Sequence, residues 1–264
     1  MDISLWKEHL AHLPLGDIYL YPEVTSTNLL AEEKIKAGAP PFSLVAADSQ
    51  TEGKGRLGRT WITRAGKALA LSWILYPESG RLQPETLGMV SGLAPVAVAE
   101  VLREKYNLSA EIKWPNDVLV EGKKAAGVLV DVRWEGCKVT DVVLGIGVNV
   151  ARDSVPPLEK LNFPAISLEE AAGKEISRLD LLIQIMESLI KWYSRLVEPS
   201  FVQAWDSMLA YKGQQVKLTT ERGVRGQGKV AGISDDGSLI LISEAGQETE
   251  YHSGEIQLRL VDRS

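Results

Sequence analysis

Hydrophobic positions along this chain fall into stripes at helical spacing and into shorter apolar, strand-like runs, and these mark out its elements. Leu87, Val90, Ala94, Ala97, Val98 and Val101 fall three or four apart, which predicts a helix over residues 85–105. Pro95 lies in that stretch and should sit early in the helix or bend it, because proline has no N–H for the preceding turn. Leu179, Leu182, Ile183, Met186, Leu189, Ile190 and Tyr193 form a second helical stripe, opened by the capping-box pattern Ser177-Arg178-Leu179-Asp180. A further helix, Phe201–Leu209, follows Pro199, and another, Leu29–Lys36, has N-cap candidates in Thr25-Ser26-Thr27-Asn28. Strand-like runs are Asp17–Tyr21, Ser43–Ala47, Ala68–Tyr76, Ile112–Trp114, Val118–Val120, Gly127–Trp134 and Val139–Val150, with Glu135-Gly136 as a hairpin turn. Arg152–Pro164 is proline-rich and irregular.

After Tyr211-Lys212-Gly213 the pattern shortens. The runs Gln215–Thr219, Lys229–Ile233, Leu239–Ile242, Glu248–His252 and Ile256–Leu260 alternate with turns at Arg222-Gly223, Asp235-Asp236-Gly237 and Ala245-Gly246. Spacing of this kind predicts a β-barrel of about 50 residues. The expected division is therefore 1–211 and 212–264.

Composition adds limits. With 264 residues, 45% hydrophobic and 24% charged, the chain is long enough for one large and one small domain with a substantial core. A net charge of −6 argues against broad nucleic-acid binding, which needs a basic face. The single cysteine, Cys137, excludes an internal disulfide, and a cytoplasmic setting is the simple expectation. Met1–Leu15 lacks the apolar core of a signal peptide, and no stretch approaches the roughly 18 apolar residues of a membrane span.

Three clusters carry candidate chemistry. The first is Gly53-Lys54-Gly55-Arg56-Leu57-Gly58-Arg59-Thr60-Trp61. It matches the G-x-G-x-x-G dinucleotide pattern, but a Rossmann turn needs a helix directly after it, and Arg59–Lys67 does not read as one. A solvated basic loop is the plain alternative. Glycine costs conformational entropy on ordering, which favours a flexible loop that orders around an anion, with Arg56 and Arg59 forking onto phosphate or carboxylate. The second cluster is Lys113-Trp114-Pro115-Asn116-Asp117 followed by Gly122-Lys123-Lys124-Ala125-Ala126-Gly127, either an ordinary turn and charged hairpin or a rigid corner with Lys124 at a site mouth. The third is Gly145-Ile146-Gly147-Val148-Asn149, where glycines inside a strand imply a bulge, a ligand or another backbone lying against it. Walker-type loops and a G-x-S-x-G elbow are missing from the sequence, and His9, His12 and His252 show no metal-ligand spacing with Cys137.

In this order and combination, the clusters resemble the biotin protein ligases, from about Tyr19 to Leu260. The most specific likeness is Gln50-Thr51-x-Gly53 through Trp61, with the Lys113–Asp117 and Gly122–Gly127 motifs; Ser26-Thr27-Asn28, Gly145-x-Gly147-x-Asn149 and Ser253-Gly254-Glu255-Ile256 add to it. The family's loop usually reads Gly-Arg-Gly-Arg-Arg-Gly-Arg, so Lys54 and Leu57 are departures here; Leu57 loses the charge. The resemblance implies an α/β (α+β) fold: a mixed β-sheet backed by helices, like class II aminoacyl-tRNA synthetases, plus a C-terminal SH3-like barrel. Some relatives carry an N-terminal helix-turn-helix domain; about 16 residues precede the first strand here, so no DNA-binding or repressor role is expected.

The resemblance also implies a reaction and roles. Biotin and ATP are the substrates, with Mg²⁺ bridging phosphates rather than held in a protein cage. They yield biotinyl-5′-AMP, and biotin passes to a lysine of a carboxyl-carrier domain such as that of acetyl-CoA carboxylase. Ser26, Thr27 and Gln50 contact biotin's ureido and ring groups; Gly53 and Gly127 give backbone access, with Lys54 beside them; Gly145 and Gly147 line the pocket wall. Arg56 and Lys124 bracket the carboxylate and α-phosphate, Arg59 takes the other phosphates, Trp61 packs near adenine, and Asn116 and Asn149 serve the adenylate. Asp117 and Lys113 sit at the reaction centre. A homodimer through the sheet, near Val128–Val132, is a further expectation, and lipoate–protein ligases are the nearest rival family.

Overall fold

The run Ala68–Leu75 (β3) is buried at every position, so it needs cover on both faces. The computed structural model, which describes residues 3–77, 82–157, 159, 161, 163–220, 223–252 and 257–260, supplies that cover. β3 lies within a seven-stranded sheet ordered β1-β2-β3-β7-β6-β5-β4, where β1 is Ile18–Val24, β2 Leu44–Gln50, β4 Ala110–Lys113, β5 Asp117–Val120, β6 Lys123–Glu135 and β7 Lys138–Asn149. β1 and β2 are parallel and the other neighbours antiparallel, so the sheet is mixed.

Two helical layers use opposite parities of these strands. On one face, Leu69, Leu71, Trp73 and Leu75 join the main core with α3 (Leu87–Tyr106) and α5 (Arg178–Ser194). On the other, Ile74 packs with Val45, Val143 and Ala31 of α2 (Thr27–Lys36). The period-2 alternation thus sets which side chains see which helix. An N-terminal piece that periodicity did not reveal, a 3₁₀ turn at Ile3–Leu5 and α1 (Trp6–Leu10), adds buried Trp6 and Leu10 to the main core.

Several expectations are corrected. Pro95 lies inside α3 rather than early in it, among fully buried neighbours. That helix is, by length and composition, apolar enough to cross a membrane, contrary to the sequence reading; its buried share faces α5, α6 (Pro199–Ser207) and the sheet, which accounts for its apolarity. β6 starts at Lys123 rather than Gly127, because a register shift between Val118 and Leu119 pairs Lys123 and Lys124 with β5. Lys124 is therefore a strand residue, fixed at both backbone neighbours. A short helix, α4 (Leu168–Ala172), follows the irregular segment.

The second sheet is antiparallel, ordered β11-β10-β9-β8-β12, from β8 (Gln215–Thr220), β9 (Gly223–Ile233), β10 (Leu239–Ile242), β11 (Glu248–Tyr251) and β12 (Gln257–Leu260). β9 begins well before the expected Lys229; its Gly226 and Gly228 hide the alternation, and the space over Gly226 holds the Tyr251 hydroxyl. Arg222 of one expected turn and the Ser253–Ile256 motif lie outside the described residues. The small sheet is seated on the larger part by α6: Asp206 accepts the Ile233 N–H at 3.2 Å and pairs with Lys212. Trp205 of the same helix fills the space over Gly92 of α3 and Gly237 of the β9–β10 turn.

A Cβ on Gly92 would lie 2.4 Å from the Trp205 ring, so Gly92→Ala should cost about 1–3 kcal/mol by overpacking, read as a lower urea midpoint at unchanged slope. An unaltered midpoint would show that the indole has room. Asp236, in the same turn, is opposed by desolvation but held down by hydrogen bonds from Ser234 and Ser238 and by His252, which take its carboxyl from 3.8 to about 2. A carboxyl lowered on folding stabilises above its unfolded value and loses that contribution as pH falls from 3.8 to about 2. Melting temperatures of Asp236→Asn should therefore fall less steeply than the parent's across that window; parallel curves would remove Asp236 from the acid limb.

Candidate active site

Where β2 ends at Gln50, the chain turns into the glycine run, and the run closes as a hairpin. Trp61 N–H donates to Gly53 O at 2.7 Å, Gly55 N–H donates to Arg59 O at 2.7 Å, and Lys54 bridges Thr60. Its tip is a single 3₁₀ turn at Arg56–Gly58. Leu57 holds φ 58° and ψ 40° there, a left-handed conformation that costs a side-chain-bearing residue about 1 kcal/mol. The dinucleotide match is thus a hairpin and not a strand-to-helix turn.

The hairpin forms one wall of a cavity of about 470 Å³, within the range of small-molecule sites. Of the residues given a catalytic or binding role in the sequence analysis, all but Gly53 line it. A Cβ on Gly53 would fall 2.2 Å from Trp61 O, so its glycine serves closure of the hairpin.

One end of the cavity is neutral and hydrogen-bonding. Ser26 and Thr27 open α2 there and are buried. Gln50 Oε1 accepts from Thr27 N at 2.8 Å and from Thr27 Oγ1 at 3.2 Å, while its Nε2 donates to Thr63 Oγ1 at 2.9 Å. Donors on one side and an acceptor on the other fix which way the amide faces. Asn28, quoted only as part of a motif above, also belongs to the lining: Nδ2 donates to Asp131 Oδ2 at 2.7 Å and Oδ1 accepts from Ser72 Oγ at 2.6 Å.

Another part of the lining is cationic. Arg56 Nη1 donates to Asn116 Oδ1 at 2.9 Å; Asn116 in turn donates from Nδ2 to Val128 O at 2.6 Å. Burial is the main influence on Arg56 and draws its pKa below the ordinary guanidinium value; Asp117 opposes the change and Arg59 adds to it. Lys124 Nζ pairs with Asp117 Oδ1 at 2.6 Å, and lies 5.4 Å from the centre of the Trp61 ring. Lys113, though buried, sits over the Phe163 ring at 4.0 Å. Asn149 is turned into its own chain, donating to Lys124 O at 3.4 Å and Ile166 O at 3.5 Å.

The strand glycines have two different occupants. A Cβ on Gly145 would meet Asn28 Oδ1 at 2.1 Å, and one on Gly147 would meet the Trp61 indole at 2.3 Å. Gly127 likewise lies under Lys124 and Trp61. β7 is regular through both of its glycines, paired to β3 and β6, so no bulge explains them. The indole Nε1 is buried there without a hydrogen-bond partner. Pro156, Leu161 and Phe163 of the irregular segment add an apolar wall that sequence reasoning missed; the only signal was the segment's proline content. Among the described residues no group of three or more His, Cys, Asp or Glu side chains is placed to hold a metal ion.

Comparisons with known proteins bear on the family. Residues 20–149 match the biotin/lipoate A/B protein ligase family, and residues 212–259 match the biotin protein ligase C terminal domain. The bifunctional ligase/repressor BirA of Bacillus subtilis is 34% identical over 248 residues, which cover 92% of this chain and 75% of that protein. The biotin–[acetyl-CoA-carboxylase] ligase of Paracoccus denitrificans is 31% identical over 221 residues, 81% of this chain and 90% of that protein. Among solved structures, the biotin protein ligase from Aquifex aeolicus in complex with biotin and ATP is 32% identical with a TM-score of 0.76, covering 93% of this chain and 99% of that one. With its mixed sheet, glycine hairpin, cationic corner and small C-terminal sheet, this chain belongs to the biotin protein ligase family.

Proposed function

We propose that the cavity activates biotin with ATP to biotinyl-5′-AMP and passes the biotinyl group to a lysine of a biotin carboxyl-carrier domain. The observation that carries this reading is the meeting of two unlike groups in the lining of one cavity: neutral Ser26, Thr27 and Gln50, and cationic Arg56 and Lys124. A ureido ring asks for neutral donors and acceptors. A carboxylate beside phosphates asks for cations.

The reacting groups are both anionic, so they meet only where positive charge offsets their repulsion. In the first step a biotin carboxylate oxygen attacks the α-phosphorus. The bond to the oxygen bridging to the β-phosphate breaks, and pyrophosphate leaves with the electron pair. Lys124 and Arg56 bracket the carboxylate and α-phosphate, Arg59, exposed on the hairpin, takes the outer phosphates, and Lys54 on the same hairpin contacts biotin. Arg56 holds only a neutral amide, which costs little to exchange for phosphate. Trp61 and the apolar Pro156, Leu161 and Phe163 face the adenine. Asp117 is the one carboxylate among the described lining residues and is paired with Lys124, so Mg²⁺ enters as ATP's own ion.

In the second step the acceptor amine attacks the acyl carbon and the bond to AMP breaks. The amine's proton goes to Asp117, the carboxylate at hand. Lys113 steadies the charge of the corner from its buried place, and Asn149 keeps Lys124's strand in position. The hairpin shields the mixed anhydride from water.

Pyrophosphate release with biotin or lipoate, with and without a carrier domain, tests the reading. Release should depend on biotin, and label should reach the carrier. Dependence on lipoate, or no release with either, overturns it. Lys124→Ala should lower adenylate formation about 10²–10³-fold, since it removes the charge at the reacting centre; an unchanged rate of pyrophosphate release would take Lys124 out of the mechanism. Arg56→Gly should keep the fold but leak biotinyl-5′-AMP, measured as adenylate passing a filter that retains protein. Retention equal to the parent's would remove the shielding role.

A further inference from the structure

We propose that the Ser234–Ser238 turn of the small β-sheet is a positioning element of the adenylation corner, acting through Trp114. This rests on the function proposed above. Trp114 is the second residue of the Lys113–Asp117 corner and is 1% exposed. Its indole Nε1 donates to Gly237 O at 3.0 Å, a buried hydrogen bond across the two sheets' boundary.

The turn that offers this carbonyl is built to stay still. Ser238 N–H donates to Asp236 Oδ1 at 3.0 Å and to Ser234 Oγ at 3.1 Å, Ser234 N–H donates to Ser238 O at 2.9 Å, and Ser238 Oγ meets His252 Nδ1 at 2.7 Å. It is also wedged from outside. A Cβ on Gly88, in the first turn of α3, would lie 2.2 Å from Asp236 O, and one on Gly237 would lie 2.9 Å from the Gly88 backbone and 3.0 Å from Trp205. The Gly237 carbonyl therefore has no freedom to follow the indole; the indole must come to it.

From Trp114 the path to the chemistry is short. Asn116 and Asp117 follow within three residues, and these are the partners of Arg56 and Lys124. A shift of the corner moves the acceptors of both cations together. The neutral end of the cavity hangs on α2 and β2 instead, through Thr27 and Gln50, and is untouched by the turn. The turn should consequently govern the rate of adenylation and leave biotin recognition alone. A role in docking the two sheets and nothing more would change the amount of folded protein without splitting these two quantities.

The test replaces Trp114 in the full chain with 3-benzothienylalanine, which keeps the ring shape and exchanges N–H for sulfur, and separately makes Asp236→Ala to loosen the turn from the other side. Biotin-dependent pyrophosphate release is measured with melting curves alongside. Each variant should lower kcat about tenfold, as a sub-ångström misplacement of reacting groups would, with the KM for biotin within about twofold. The pair together should lose little more than either alone, because they act on one contact. Unchanged kcat in folded variants overturns the proposal, as does a loss that merely follows the fraction folded. A parent chain that releases no pyrophosphate with biotin overturns the function itself, and the positioning role with it.

Discussion

Two half-buried cations, Arg56 and Lys124, face one cavity and must be matched by acceptors held in place. Lys124 is 26% and Asp117 17% exposed as side chains, so their 2.6 Å contact is screened much less than a surface pair. Breaking it by removing one partner leaves an uncompensated charge. The corner that carries Asn116 and Asp117 is accordingly held from several sides. It is tied to β6 through the Val128 backbone, to the small sheet through Trp114, and to the glycine hairpin through Arg56.

The sheet makes that corner possible. β5, β6 and β7 run as a meander, which brings Asp117, Gly127 and Gly147 side by side. The absence of side chains at Gly127 and Gly147 leaves a trough, and Trp61 from the hairpin lies in it. Hairpin, trough and corner are thus one packed unit rather than three separate motifs. Leu57 at the hairpin tip sits where the family usually has arginine; it faces the cavity with the apolar Pro156, Leu161 and Phe163, so the change trades a charge for apolar lining.

Much of this was legible in the chain because the signals are local. Continuous apolar runs marked β3 and β7, and the apolar stripes marked α3 and α5. The cations between the glycines, and glycines inside an apolar strand, pointed to a ligand-sized space. What was not legible depends on distant partners. Sequence tells that something lies against Gly145 and Gly147, but not that it is Asn28 and Trp61. Lys124 reads as preceding a strand until the register shift in β5 places it inside one. Pro95 reads as a residue near the helix start or at a bend, yet it lies inside α3 among buried neighbours. Trp6 belongs to a helix too short for periodicity to show, and Gly237 gains its role only from an indole 123 positions away.

The exchange of partners at the cationic corner is the central claim. It is tested most directly by a crystal structure of the chain with a non-hydrolysable sulfamoyl analogue of biotinyl-5′-AMP. The expected result has Lys124 Nζ and Arg56 on the acyl and sulfamoyl oxygens, with the ureido ring between Thr27 and Gln50. An analogue bound with its linkage away from both cations, or with its ring at the Arg56 end, would contradict it.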